Sequence, residues 1–205
     1  MSAAIQPTGS KSELRRRLRE QRRALTPIAR RAAAEELASL VSATRAFRVA
    51  RRIACYAPAD GEIDTAPLMK RMARLNKRCY VPVLSRIDYD RLWFAPADTR
   101  AVRAPNRFGI LEPRVSPQQL VRARELDLIL LPLVAFDETG QRLGMGGGFF
   151  DRSLAFLAWR EHWRKPHLIG LAYDFQKVAA LPRESWDVPL DAVVTERNVY
   201  VTPAV

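Results

Sequence analysis

The sequence predicts one α/β domain: a mostly parallel central sheet with helices on both faces, a Rossmann-like three-layer arrangement. Three observations carry that expectation. Beyond residue 50, short apolar runs alternate with segments of helical period, the grammar of strand–helix–strand units. The run at 53–57 reads as a strand buried within a sheet. The chain has 205 residues, 48% of them apolar, enough for one real core, and no internal repeat or low-complexity linker divides it. Residues 1–205 are therefore taken as a single domain, with 1–9 flexible and 10–45 forming N-terminal helices. Ligands of such a sheet bind beyond the carboxyl ends of its strands.

The first helix starts at Ser10, because Glu13 stands three residues later in capping-box spacing, and Leu14, Leu18 and Leu25 then mark one side. Thr26-Pro27 ends it and opens a second helix over 27–44, where Pro suits the first turn and Leu37, Leu40 and Val41 supply an apolar face. A strand at 53–57, a helix at 65–75 carrying Leu68, Met69, Met72 and Leu75, and a strand at 79–84 make the first βαβ unit. Residues 85–115 are rich in Pro, Arg and aromatics and read as strand pieces joined by loops. Ser116-Pro117 signals a short helix before a strand at 126–134; a helix at 149–160 and strands at 168–172 and 192–194 complete the pattern.

The charge is lopsided. Lys and Arg number 34 against 22 Asp and Glu, a formal net charge of +12. Residues 1–52 hold thirteen Lys or Arg and four Asp or Glu, so +9 of the excess lies in the first quarter of the chain. Such an arm suits nucleic acid, an anionic lipid surface or a phosphate-bearing small ligand, and charge alone does not choose among them. Lys11 and Arg15, four apart, project from one helix face and can grip a polyphosphate together.

Other classes are excluded more simply. No stretch approaches the about 20 apolar residues of a membrane span, and the N-terminal MSAAIQPTGSK has no signal-peptide core, which points to the cytoplasm. Abundant, evenly spread apolar residues rule out strong disorder. Cys55 and Cys79 sit in or beside strand-like runs and read as reduced core thiols, while His162 and His167 have the wrong spacing to join them around zinc.

The most informative segment runs from Leu131 to Arg152. Four of the nine glycines, Gly144, Gly146, Gly147 and Gly148, lie within five positions. Such a loop brings backbone N–H groups up to an anion without Cβ interference, with the next helix pointing its positive end at the same place. It is not a Walker A loop, since no Gly-Lys-Ser/Thr follows, and it fits the dinucleotide fingerprint poorly. Arg142 and Arg152 bracket it with guanidinium groups, and Asp151 offers oxygen to a hard cation.

With these residues in view, the chain resembles the 5-formyltetrahydrofolate cyclo-ligase (methenyltetrahydrofolate synthetase) family. Lys11-x3-Arg15, Gly61-Glu62-Ile63-Asp64, Arg142-Leu-Gly-Met-Gly-Gly-Gly-Phe-Phe-Asp-Arg152 and Leu181-Pro-Arg-Glu-Ser-Trp-Asp-Val-Pro-Leu-Asp191 match its hallmarks in order, over nearly the whole chain. The resemblance implies ATP-dependent conversion of 5-formyltetrahydrofolate to 5,10-methenyltetrahydrofolate, ADP and phosphate, with Mg²⁺. It implies catalytic roles for Lys11, Arg15 and Arg142. ATP contacts are implied for those three and for Leu143, Gly144, Met145, Gly146, Gly147, Gly148, Phe149 and Phe150.

Folate contacts are implied for Ala57, Glu62, Met145, Gly146, Gly147, Gly148 and Phe149, and metal ligation for Asp151 and Asp187, with Asp191 as the alternative partner or a structural cap. Glu62 acts either by hydrogen bonding to the pterin or by lying near the reacting nitrogens. Phe149 and Phe150 stand where many members carry tyrosines, so a phenolic hydroxyl role does not transfer. Met145 stands where many relatives have Arg, leaving Arg142 or the loop amides to carry that charge. Trp93, Phe94 and Phe108 read as core or rim residues, with one wall of the folate pocket as the alternative, and the early arginines beyond Lys11 and Arg15 as solvated helix faces. The implied partners are small molecules, ATP and a folate with or without a polyglutamate tail, met by a monomer with neither nucleic acid nor membrane.

Overall fold

The computed structural model of the protein describes residues 10–85, 90–97, 101–159 and 165–202; the expected flexible stretch 1–9, His162 and the end of the helix expected at 149–160 lie outside them. Helix α1 (Lys11–Ala24) begins where the cap signal put it, Ser10 Oγ accepting from the Glu13 N–H at 3.3 Å. Helix α2 (Pro27–Ala43) is capped by Thr26, whose hydroxyl accepts from the Ala29 N–H, with Pro in the first turn. Arg30 Nη2 reaches back to the Arg22 and Arg23 carbonyls at 3.0 and 2.8 Å. It thereby satisfies acceptors that the end of α1 leaves open.

Thr44 ends α2 and caps a further short helix, α3 (Arg45–Val49), through a bond from the Phe47 N–H. Five residues are too few for a periodic signal, so α3 was not expected. It exists because Phe47 is driven into the core, where it is fully buried.

Strands β1 (Arg52–Ala54) and β2 (Arg78–Leu84) pair in parallel around helix α4 (Ala66–Arg74). Strand β3 (Leu92–Pro96) returns antiparallel to β2, and β4 (Arg103–Pro105) with β5 (Leu111–Pro113) forms a separate two-stranded ribbon. Strand β6 (Leu128–Pro132) joins the sheet beside β1, and β7 (Ala135–Phe136) with β8 (Arg142–Leu143) forms a small hairpin beyond its end. Helix α5 (Phe149–Leu154) precedes β9 (His167–Leu171), β10 (Ala192–Val194) and β11 (Val199–Val201). The seven-stranded order is β11-β10-β9-β6-β1-β2-β3, parallel except at the two edge strands.

Alternate residues of the central strands serve opposite faces. Ile53, Leu128, Leu130, Ile169 and Val194 pack with residues of α2, α3 and α4 on one side. Ala54, Ile129, Leu131, Leu168 and Val193 pack on the other with Leu154 of α5 and with Phe136, Val188 and Leu190. The second layer is thus thinner than expected: one short helix, a 3₁₀ turn at Ala155–Trp159 and a long crossing segment. The strand expected at 126–134 is shorter because burial outlasts pairing; Leu133, Val134 and Ala135 stay buried after the ladder ends at Pro132.

Because β1 is followed on one side by β2 and on the other by β6, their carboxyl ends flank the topological switch of the sheet. Helix α1 lies there. Its Leu14 and Leu18 pack against Val134, Ala135, Leu143 and Val178, and Arg22 Nη1 donates to the Leu133 carbonyl at 3.3 Å. Cys55 and Cys79 are free thiols, the former fully buried, as read from the sequence. Among the described residues no helix is long and apolar enough to cross a membrane.

Candidate active site

The glycine loop connects β8 to α5 directly above the first turn of α1. Gly146 and Gly148 take φ of +98° and +65°, which L side chains rarely adopt, so the loop needs glycine there. Its carbonyls are held by arginines: Arg15 Nε donates to Gly144 O at 2.8 Å, and Arg152 Nη2 to Gly147 O at 2.6 Å. Among the described residues, no protein acceptor takes the N–H groups of Met145, Gly146, Gly147 or Gly148. Exposed amides without protein partners are the donors an anion needs. Helix α5 has only six residues, so these amides, rather than the expected helix dipole, supply the positive potential.

Arg15 uses Nε on the loop, and its guanidinium lies 3.9 Å from where a Cβ on Gly146 would stand. Its Nη2 lies at the same distance, so the guanidinium stands beside the loop amides. Lys11, one turn earlier, bonds Glu184 Oε1 at 3.1 Å with both side chains partly exposed, a contact worth little in water and open to exchange for a phosphate. Glu184 was not anticipated; its partner is 173 residues away in sequence.

Arg142 sits deeper, its side chain 7% exposed, donating to the Val188 carbonyl and to Asp151 Oδ1. Burial pulls its pKa below the ordinary guanidinium value, while the charges of Asp151 and Asp187 act the other way. Arg142, Asp151 and Asp187 therefore form one cluster. Asp191 does not belong to it: its Oδ2 accepts from the Leu168 N–H at 2.6 Å, at the amino end of β9, away from the loop. Asp187 Oδ2 accepts from the Glu184 N–H, closing the turn that carries Lys11's partner.

Among the described residues, no three of His, Cys, Asp and Glu gather as a metal site. Mg²⁺ asks for less, one or two carboxylates with phosphate oxygens and water completing its shell. Asp151 and Asp187, both acting on one guanidinium, fit that requirement in donor type, and each has a carboxylate oxygen beyond the one already bonded.

Met145 is 51% exposed and points no charge at the loop. Phe149 meets Phe108 edge-on at 5.6 Å, with the Arg107 and Arg152 guanidiniums 5.5 and 5.3 Å from its ring centre. This ties the glycine loop to the tip of the β4–β5 ribbon. Phe150 is partly buried against the core, Phe94 is fully buried, and Trp93 lies under the Arg122 guanidinium.

Ala57 and Glu62 follow β1. Glu62 closes a turn in which its N–H donates to Ala59 O at 2.9 Å and its Oε2 accepts from Ala59 N at 3.0 Å. Burial pushes its carboxyl pKa up. Among the described residues, no hydrogen bond or ion pair joins Ala57 or Glu62 to the glycine loop. The connection runs instead through α1, whose Arg15 and Arg22 are about 10 Å apart along the axis. The structure thus brings Arg15 to the loop and Lys11, one turn earlier, to Glu184, gathers Arg142 with Asp151 and the segment of Asp187, and sets Glu62 at the other end of one helix.

The early arginines correct the sequence reading. Arg22 is 0% exposed and, with Arg19 and Arg23, binds Asp60, so this part of α1 is held to the protein, while the Arg23 side chain stays half exposed. Asp60 carried one legible signal, the Asp-Gly dipeptide of a tight turn.

The model of the 5-formyltetrahydrofolate cyclo-ligase family matches residues 7–196. The 5-formyltetrahydrofolate cyclo-ligase of Escherichia coli (strain K12) is 39% identical over 183 residues, spanning 89% of this chain and 98% of that protein. The Haemophilus influenzae protein of the same name is 38% identical over 185 residues, spanning 89% and 96%. Among solved structures, the NMR structure of Aquifex aeolicus 5,10-methenyltetrahydrofolate synthetase matches with a TM-score of 0.78 at 33% identity, over 95% of this chain and 94% of its own.

Proposed function

The chain belongs to the 5-formyltetrahydrofolate cyclo-ligase family, its activity is the one the family name describes, and we propose that it proceeds by phosphorylation of the formyl oxygen. An amide-like formyl oxygen is a poor leaving group. Transfer of the γ-phosphoryl group of ATP to it gives an iminium phosphate and ADP; N10 attacks that carbon and gives up its proton, and phosphate departs with the C–O bond to leave 5,10-methenyltetrahydrofolate. Such a transfer needs cations and in-line placement more than a protein nucleophile.

The observation that carries this reading is the bond from Arg15 to Gly144 O, which seats a cationic helix face on a loop of unpartnered amides. Lys11, Arg15 and Arg142 neutralise phosphate charge, and the amides of Met145, Gly146, Gly147 and Gly148 bind phosphate oxygens. Asp151 and Asp187 hold Mg²⁺, which when bound offsets charge on the phosphates. Phe149 and Phe150 offer ring faces to the pterin or adenine. Ala57 and Glu62 meet the folate from the opposite end of α1. The protein works as a cytoplasmic monomer on small-molecule substrates.

The test mixes purified protein with 5-formyltetrahydrofolate, ATP and Mg²⁺ and follows the methenyl product by near-ultraviolet absorbance. Folded protein that forms no ATP-dependent product overturns the reading. Within that assay Lys11→Ala and Arg15→Ala are each expected to raise the KM for ATP about tenfold or more, the worth of one charge-assisted hydrogen bond. Unchanged ATP kinetics would return both residues to surface charge. Asp151→Asn keeps a side-chain acceptor for Arg142 but loses the charge, so the Mg²⁺ titration midpoint rises; an unaltered midpoint counts against ligation.

A further inference from the structure

We propose that Asp60 is a positioning residue: clamped by Arg19, Arg22 and Arg23 of α1, it fixes the turn that presents Glu62 to the folate. This rests on the reading of Glu62 as a folate contact. Three guanidiniums on one helix face converge on one carboxylate, Arg19 Nε at 2.5 Å and Arg22 Nη2 at 3.1 Å from Oδ2, and Arg23 Nη2 at 2.6 Å from Oδ1. A single exposed pair of this kind contributes little. Here Arg22 is fully buried, and its charge depends on this partner and the Leu133 carbonyl.

The clamp acts on backbone that is otherwise costly to hold. Asp60 and Gly61 have φ of +49° and +75°, the two consecutive positive values a type I′ turn requires. A Cβ on Gly61 would lie 3.3 Å from the Arg22 carbonyl carbon and oxygen, so the turn is pressed onto the last turn of α1. Glu62 is the fourth residue of this turn, bonded at both its N–H and its carboxylate to Ala59. Wherever α1 sets Asp60, Glu62 follows.

Asp60 also bears on the charge of Glu62. Burial raises the Glu62 pKa, the Ala59 N–H and Arg22 lower it, and Asp60 raises it again. Arg30, Arg31 and Asp64 line the same cleft, and the Tyr56 hydroxyl is a further neighbour, bonded to Ile63 O. Removing the Asp60 charge makes Glu62 easier to ionise and leaves the α1 cations to act on it more strongly, two effects of the same sign.

The test compares Asp60→Asn, Arg23→Gln and Glu62→Gln in the steady-state assay, with thermal unfolding alongside. Asn tolerates the left-handed conformation, so Asp60→Asn removes charge with little change of shape. Expected are a KM for 5-formyltetrahydrofolate raised about tenfold, a KM for ATP within about twofold of the parent, and the acid limb of the folate kcat/KM profile moved to lower pH. Arg23→Gln, at the half-exposed side of the clamp, raises the folate KM by a smaller factor with the ATP KM unchanged, and, because it removes a cation and leaves the Asp60 charge, moves the acid limb to higher pH; it keeps the test open if Asp60→Asn folds poorly. An unchanged folate KM and pH limb in folded Asp60→Asn, beside an impaired Glu62→Gln, overturns the positioning role and leaves the Glu62 contact standing. Equal rises in both KM values, the mark of a loosened helix, also overturn it. Unaltered kinetics in Glu62→Gln overturn the folate contact and the proposal with it.

Discussion

Arg142→Met is expected to lower kcat/KM for ATP by about a thousandfold, the upper range for losing one preorganised donor from a phosphoryl-transfer site. Methionine keeps most of the volume, so the change isolates the guanidinium. In the native protein that group donates to Asp151 and Val188 O and sits in the field of Asp187. Without it two carboxylates share a partly buried site with no cation between them. Losing one partner of a fully buried pair costs about 3–5 kcal/mol, and the 27% exposure of Asp151 reduces that, so about 2 kcal/mol is expected here. Initial rates at varied ATP and thermal unfolding separate the two effects. A variant that loses stability but keeps its ATP kinetics would make Arg142 a structural pin of the segment 187–190 and remove it from the nucleotide site.

Gly140→Ala is expected to be the most destabilising single-atom-scale change in the site region. Gly140 holds φ of +83°, and an added Cβ would stand 2.5 Å from Thr202 Cγ2 and 2.8 Å from the Leu190 carbonyl oxygen. The threonine can turn; the backbone oxygen cannot, because Leu190 N also donates to Gly140 O at 3.0 Å and Thr202 Oγ1 donates to the same Leu190 oxygen. Strained φ and overpacking each cost about 1–3 kcal/mol, so a loss of about 3 kcal/mol and a drop in Tm of about 6–12 °C follow. Since Leu190 ends the run that holds Asp187 and Val188, the Mg²⁺ titration should shift as well. An unchanged Tm would show that the junction yields at no cost.

What the sequence made legible was local. Ser10, Thr26 and Pro27 act on groups within a few residues, so both N-terminal helices were placed correctly. The central strands showed as apolar runs, overextended where Tyr56 and Leu133 remain buried beyond the last paired residue. The short α3, the β7–β8 hairpin and β11 carry too few residues for any period to register. In the site, the glycine loop and Arg15 were readable because spacing announces them. Composition did not distinguish Arg22, fully buried, from Arg16, whose side chain is 68% exposed, since the difference lies in a carboxylate 38 residues further on. Nor did it reveal Glu184 or the carbonyl of Val188, which are brought in by tertiary packing.

The bond between Arg15 and Gly144 closes a span of 129 residues. Contacts this distant form only after the intervening chain has lost its freedom, and topologies that rely on them fold slowly. During synthesis α1 emerges first, yet the surface it rests on, Val134, Ala135 and Leu143, is made much later. Until then its apolar stripe of Leu14 and Leu18 has no seat, even though Asp60, the partner of its arginines, is made earlier. Docking of the first helix is therefore a late event in folding, and the proposed nucleotide site is completed by the same step that finishes the domain. On the proposed reading partly folded chains lack that site, and ATP binding during refolding is expected to appear with the arrival of α1.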